Sequence, residues 1–84
     1  MATSGRIPLK QVWAMLDHCA PGYQAVAREH NFLVTFNGRS YPSLPRGEHG
    51  KRENPEIQKG HIRHLIRQLE VDLDCAKKHL PQLR

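Results

Sequence analysis

Apolar residues recur along the chain with two periods, one typical of helices and one typical of strands. A first helical stripe follows Pro8, which suits a first helical turn, and consists of Leu9, Val12, Trp13 and Leu16. Pro21-Gly22 cannot continue a helix, so the first helix is predicted to end before this pair. A second stripe, within a helix predicted over residues 58–70, consists of Ile62, Leu65, Ile66 and Leu69.

The chain ends in a short third helix, predicted from Leu73 to Leu80. Asp72 precedes it and is a favourable N-cap residue, because its carboxylate can accept a hydrogen bond from the first helical turn. Pro81 cannot continue the helix and is expected to end it.

Strand patterns occupy the region between the first two helices. Residues 23–28 alternate loosely between polar and apolar types and suit a strand. In a second strand, residues 31–36, side chains alternate between faces, so one face is expected to carry Phe32, Val34 and Phe36.

The strongest local signal is the pair Asn37-Gly38. Both residues tolerate positive φ, which a two-residue type I′ hairpin requires, so a tight turn should follow the second strand. A third strand, residues 39–45, contains Pro42 and Pro45 and is expected at a sheet edge, because proline has no N–H for the ladder. The three strands therefore predict an antiparallel meander with the second strand in the centre.

These elements predict an α+β fold, an α-β-β-β-α two-layer sandwich with a short C-terminal helix. Residues 1–6 are expected to be a flexible tail, residues 7–84 a single domain, and residues 46–55 a polar loop. The strand face of Phe32, Val34 and Phe36 is predicted to pack against Val12, Leu16, Ile62, Leu65, Ile66 and Leu69.

The charge of the chain favours a polyanionic partner. Its 84 residues carry a net charge of +5 with a pI near 9.7, and nucleic acid is the first candidate for so small a basic domain. A membrane surface is the competing partner, but the predicted helices have only ordinary amphipathic faces. A basic surface that serves solubility and binds no polyanion is the third alternative.

The two cysteines, Cys19 and Cys75, predict free thiols, because small secreted folds of this length usually carry four or more cysteines. The first residues lack the apolar core of a signal peptide, and no segment has the length of a membrane helix. We therefore expect a cytoplasmic protein with no membrane partner.

Three short motifs lie at the second strand, the third strand and the long helix. Glu29-His30-Asn31-Phe32-Leu33 enters the second strand, and Leu44-Pro45 ends the third. The long helix contains the most specific segment, Gly60-His61-Ile62-Arg63-His64-Leu65-Ile66-Arg67-Gln68. Together they resemble the HicA family of small bacterial toxins, whose fold is like that of double-stranded-RNA-binding domains and whose second strand begins with a Gly-Ser-His-x-x-Phe-like motif. The resemblance covers residues 8 to about 80.

The resemblance implies ribosome-independent cleavage of RNA, expected to be mRNA, with one essential histidine, and neutralisation by a HicB-like antitoxin protein. That histidine corresponds to His30. Arg28 and Glu29 stand where the family motif has other residues, and Glu29 places negative charge where an RNA phosphate should come.

His30 can be interpreted in two ways. As a group that titrates near neutral pH, it can serve as general acid or base, with Arg28 or Arg39 steadying the phosphate. If the strand is regular from residue 30, however, His30 shares the core face of Phe32 and is a structural residue. A kink at Asn31, which tolerates unusual φ, would turn it outward.

A second candidate constellation for RNA binding consists of cations in the loop and on the long helix. Contacts to phosphates need positive charge more than base-reading geometry. With Arg28 and Arg39, the predicted RNA-binding residues are Arg46, Lys51, Arg52, Lys59, Arg63 and Arg67. A non-catalytic nucleic-acid-binding module and a protein-interaction domain remain alternatives on the same fold.

No cofactor and no metal are predicted. His18-Cys19 are adjacent, and Cys75 and His79 are four residues apart on one helix face. Structural zinc sites usually combine two paired ligand motifs, and only half of that pattern is present.

Overall fold

The computed structural model describes residues 5–46 and 55–84. Its elements, in chain order, are β1 (Arg6–Pro8), α1 (Leu9–Cys19), β2 (Gln24–Ala27), β3 (Asn31–Phe36), β4 (Arg39–Pro45), β5 (Glu56–Gln58), α2 (Lys59–Leu69), α3 (Leu73–His79) and a 3₁₀ turn (Pro81–Leu83). The predicted α+β fold is confirmed: the chain forms an α-β-β-β-α sandwich with a C-terminal helix.

The three-stranded sheet has the predicted meander order β2-β3-β4, with β3 in the centre. The turn between β3 and β4 has φ of 56° at Asn37 and 80° at Gly38, as a type I′ hairpin requires. β4 is an edge strand, as its prolines predicted. β2 forms the other edge, and all four of its residues are exposed.

A β-bulge in β4 sets which of its side chains face the core. Phe32 pairs with Leu44 and Val34 pairs with Tyr41, so one residue of β3 faces two residues of β4, Pro42 and Ser43. The extra residue turns both Tyr41 and Leu44 inward, although they are three positions apart. Pro42 lies in this bulge, where no ladder donor is needed.

A short two-stranded ribbon of β1 and β5 was not predicted from the sequence. Its three residue pairs include Ile7 with Ile57, both buried. The ribbon also caps both long helices: the Leu9 N–H donates to the Pro55 carbonyl at 2.8 Å, and the Lys59 N–H donates to the Gly5 carbonyl at 2.7 Å. These bonds pair two helix N-terminal donors that no side chain caps.

The ribbon also revises two predicted boundaries. Arg6, assigned to the tail, is the first residue of β1, and residues 1–4 lie outside the described part of the chain. Pro8 ends β1 as the N-cap of α1 instead of opening the helix. Of the predicted loop, residues 47–54 lie outside the described residues.

The core lies between the sheet and the helices. Val34 is fully buried, and Phe32 and Phe36 are half-buried and pack at its margin. The predicted burial of this strand face is therefore confirmed for Val34, whereas Phe32 and Phe36 lie at the rim of the core. The predicted helix positions are all buried: Val12, Leu16, Ile62, Leu65, Ile66 and Leu69.

The prediction of free thiols is wrong, because Cys19 and Cys75 form a disulfide. α1 and α3 pack side by side and bring the two Cα atoms to 5.8 Å, within the range that a disulfide spans. Counting cysteines could not detect a pair made by helix packing across 56 positions. A cytoplasmic location remains a prediction, and it can no longer be argued from free thiols.

Candidate functional site

His30 lies in the tight turn that joins β2 to β3. The Arg28 N–H donates to the Asn31 carbonyl at 2.7 Å and closes this turn. The imidazole is 73% exposed. The turn thus frees His30 from the core face, and the expectation of an exposed histidine before the central strand is confirmed.

Arg46 joins the His30 turn from the end of β4. Its backbone N–H donates to the His30 carbonyl at 3.3 Å, and its guanidinium donates to the Arg28 carbonyl. The guanidinium also lies over the Phe32 ring, 5.6 Å from the ring centre. Arg28 and Arg46 are therefore the cations of the His30 turn.

Arg46 was predicted among the loop cations, and its contact with the His30 turn was not predicted. The signal in the sequence was the Asn37-Gly38 turn, which brings the end of the third strand beside the start of the second. In the structure Asn31 pairs with Pro45, so residue 46 lies beside residue 30.

Arg39 lies at the opposite end of the sheet from His30. It pairs with Phe36, the last residue of β3, five residues beyond Asn31 and so about 16 Å away along the strand. The Arg39 guanidinium forms an ion pair with Glu70 at 2.7 Å. The expectation that Arg39 could steady a phosphate at His30 is wrong.

Glu29 is an acidic neighbour of His30. Its carboxylate lies 3.8 Å from Nε2 of the imidazole, and its side chain is 88% exposed. An ion pair this exposed contributes little to stability. Its carboxylate places a negative charge beside the imidazole.

The cations of α2 form a second surface. Arg63 and Arg67 are exposed and line an open groove of about 440 Å³ with Lys77, and Ile66, Val71 and Leu83 form its apolar floor. Glu70 also lines this groove and forms the ion pair with Arg39. The groove therefore lies towards the Arg39 end of the sheet and away from the His30 turn.

Of the remaining predicted cations, only Lys59 lies in the described part of the chain, and it does not join either surface as a free charge. The Lys59 ammonium is half-buried and donates to the Gln82 carbonyl at 3.3 Å, so it links α2 to the 3₁₀ turn. Lys51 and Arg52 lie outside the described residues.

A row of half-buried aromatic rings leads away from the His30 turn. Phe32, which lies under Arg46, contacts Trp13 edge to face at 5.1 Å, and Trp13 stacks on Tyr23 at 6.0 Å. Trp13 is thus a rim residue and not a fully buried core residue.

Tyr23 ends this row of rings. Its pKa is raised above the ordinary value mainly by burial, and further by the charge of Asp17 and a hydrogen bond to Asp17.

Searches with the chain against protein-family models, curated proteins and solved structures find no match. The resemblance to HicA toxins accordingly depends on the motifs of the chain itself. Within residues 5–46 and 55–84, no helix has both the length and the apolar character needed to cross a membrane.

Proposed function

We propose that this chain is a HicA-like toxin of a toxin–antitoxin pair that binds RNA and cleaves it with His30. The observation that carries the proposal is the exposed imidazole in the β2–β3 turn, which Arg46 joins through hydrogen bonds to the His30 and Arg28 carbonyls. The α-β-β-β-α fold and the family-like motif around His30 support the same function.

In the proposed reaction, His30 acts on the 2′-hydroxyl of the RNA. Neutral imidazole takes the hydroxyl proton, and the oxygen attacks the adjacent phosphorus. The phosphorus–oxygen bond to the 5′ carbon of the next nucleotide breaks, and the imidazolium returns the proton to that leaving oxygen. The products are a 2′,3′-cyclic phosphate and a free 5′-hydroxyl.

The two arginines supply the positive charge that this reaction needs. Negative charge grows on the phosphate oxygens in the transition state, and guanidinium groups stabilise it through charge-assisted hydrogen bonds. Arg28 is exposed. Arg46 uses part of its five N–H donors on the Arg28 carbonyl, and the others remain for a phosphate.

Two surfaces of the protein are available to bind the RNA beyond the cleaved phosphate. Aromatic faces stack on unpaired bases with little sequence preference, and the Phe32–Trp13–Tyr23 row begins beside Arg46. Arg63 and Arg67 present positive charge on α2, where contacts to the backbone of a longer or folded RNA would add affinity.

A function without cleavage is the second candidate. Glu29, 3.8 Å from the imidazole, opposes an approaching phosphate and favours a module that binds RNA but cuts it poorly. In either case the proposed partner protein is a HicB-like antitoxin, and a basic chain of net charge +5 favours an acidic surface on it.

The proposed cleavage is tested with purified protein and a structured RNA. We expect products with 2′,3′-cyclic phosphate and 5′-hydroxyl ends, because only attack by the 2′-hydroxyl produces them. The same RNA with one 2′-deoxy nucleotide at the mapped cleavage position is the matched control and should resist cleavage there. Binding without cleavage of either substrate would establish the second candidate instead.

A further inference from the structure

Three potential metal ligands meet where α1 packs against α3, and a fourth, His18, lies beside one of them. Cys19 is the last residue of α1 and His79 the last residue of α3. The disulfide-bonded sulfurs of Cys19 and Cys75 and a ring nitrogen of His79 all lie within 4.8 Å of one another. The His18 ring stacks on that of His79, with 4.5 Å between centres and 4° between planes.

We propose that this cluster is a redox-controlled zinc site, closed by the Cys19–Cys75 disulfide and opened by its reduction. Two thiolates and imidazole nitrogen form the donor set that tetrahedral Zn²⁺ prefers. Cys19, Cys75 and His79 supply three ligands, and His18 supplies the fourth by rotating its ring away from the stack.

The spacing of the donor atoms suits this ion. With Zn–S distances of about 2.3 Å, two thiolates on a tetrahedral zinc lie about 3.8 Å apart, so the sulfurs need only separate after reduction. The three donor atoms already lie within 4.8 Å, and side-chain rotation can supply the remaining adjustment without moving the helices.

The surroundings also favour a cation. Cys19 and His79 each end a helix, and the carbonyl end of a helix carries partial negative charge that favours positive charge nearby. Cys19, Cys75 and His79 are half-buried, so an ion, a reductant and a chelator can reach them from solvent.

The change from the disulfide form to the Zn²⁺-bound form takes two steps. A dithiol reductant transfers two electrons and two protons to the Cys19–Cys75 bond and becomes a disulfide itself. Zn²⁺ then displaces one proton from each thiol, so metal binding releases two protons and strengthens as pH rises. A disulfide oxidant reverses the process, re-forms the Cys19–Cys75 bond and releases the ion.

The site also reconciles the disulfide with the expected cytoplasmic location. Reducing compartments keep thiols reduced, and secreted environments keep disulfides. The Zn²⁺ form would be populated in the first and the cross-linked form in the second. In both, α1 is tied to α3.

The test uses untagged protein with Co²⁺ as a spectroscopic substitute for Zn²⁺. Reduced wild-type protein should bind one Co²⁺ per chain, with a thiolate charge-transfer band and the visible bands of a tetrahedral site. The disulfide form of the same protein is the matched control and should show neither. Absence of these bands in reduced wild type, or their presence in the disulfide form, would overturn the proposal.

Single substitutions distinguish the proposed zinc ligands from a histidine elsewhere in the chain. Removing a residue that only hydrogen-bonds to a metal ligand typically lowers metal affinity by about 10- to 100-fold. Because removing a ligand itself costs more, His79→Ala should weaken Zn²⁺ binding by at least about 100-fold. His18→Ala should weaken it by at least about tenfold. His64→Ala, an exposed histidine of α2, should bind like wild type. Equal affinities in His79→Ala and His64→Ala would overturn the site.

A second measurement covers the case in which His79→Ala does not fold. Zn²⁺ should raise the Tm of reduced wild-type protein, because an ion that binds only the folded state stabilises it. The Tm of the disulfide form should not change. A reduced protein that Zn²⁺ neither stabilises nor refolds would contradict the proposal.

Discussion

The Sγ atoms of Cys19 and Cys75 are bonded to each other, which ties the last residue of α1 to α3. The closed loop spans 56 positions and includes the whole β2-β3-β4 sheet, β5 and α2. For a domain of 84 residues, which has only a small core, such a cross-link is a large part of the stability.

Reduction of the disulfide should therefore lower the free energy of unfolding strongly. Closing a loop of 56 positions restricts the unfolded chain by about 4 kcal/mol, and the measured loss should be of that order. Denaturant melts of oxidised and reduced protein, both with a metal chelator present, measure it. The Cys19→Ser/Cys75→Ser double variant should melt like reduced wild type. Coincident melts of oxidised and reduced protein would contradict the expected stabilisation by the bond.

RNA binding should fall steeply with salt, because each phosphate that the protein neutralises releases counterions. Arg63→Glu with Arg67→Glu should lower affinity further and flatten the salt dependence. The matched control is Lys78→Glu with Arg84→Glu, which makes the same change in net charge at exposed positions outside the groove. Fluorescence anisotropy of labelled RNA at several salt concentrations measures all three proteins. Equal losses in the two double variants would assign the effect to net charge and not to α2.

Glu29→Gln should increase affinity for RNA. The substitution removes a negative charge 3.8 Å from His30, where a phosphate is proposed to bind, and should strengthen binding by about two- to fivefold at low salt. Glu56→Gln makes the same chemical change at an exposed position of β5 and serves as control. If the two variants bind RNA equally, the phosphate does not approach the His30 turn.

Both tyrosines of the chain should ionise above their ordinary pKa of 10.0. Burial raises the pKa of Tyr41, and burial together with Asp17 raises that of Tyr23. In this range the folded state holds protons that the unfolded state has lost, so stability is complete below pH 10 and declines as pH rises above it. Phenolate absorbance should therefore appear at higher pH in the native protein than in denaturant. Identical titrations would show that neither phenol is shielded.

The sequence was sufficient to predict the sandwich because its signals are local. The spacing of Ile62, Leu65 and Leu69, the Asn37-Gly38 pair and the Asp72 cap each act within a few residues. Asp72 does accept a hydrogen bond from the Asp74 N–H, and the turn has the expected backbone angles.

The features that were missed depend on distant partners. β1 and β5 have three residues each and pair with each other through two buried residues distant in sequence, Ile7 and Ile57. The disulfide depends on how α1 packs against α3. Neither leaves a periodic pattern, so no local propensity could predict it.

The candidate site was predicted only in part, because it too depends on residues that are distant in sequence. The exposure of His30 follows from a tight turn, which Asn31 and the neighbouring strands indicated. Arg28 or Arg39 was expected as its partner by chemical type alone, whereas the register of β3 and β4 brings Arg46 to the turn and places Arg39 at the far end of the strand. Register is a pairing property and cannot be read from one strand.

The most direct test of the central claim is RNA cleavage by His30→Ala, measured beside its thermal stability. His64→Ala, an exposed histidine on α2, is the control. Both substitutions should change the free energy of unfolding by less than about 0.5 kcal/mol, because neither side chain is packed. The proposed function predicts that His30→Ala abolishes cleavage and that His64→Ala cleaves like wild type. Undiminished cleavage by a folded His30→Ala variant would contradict it.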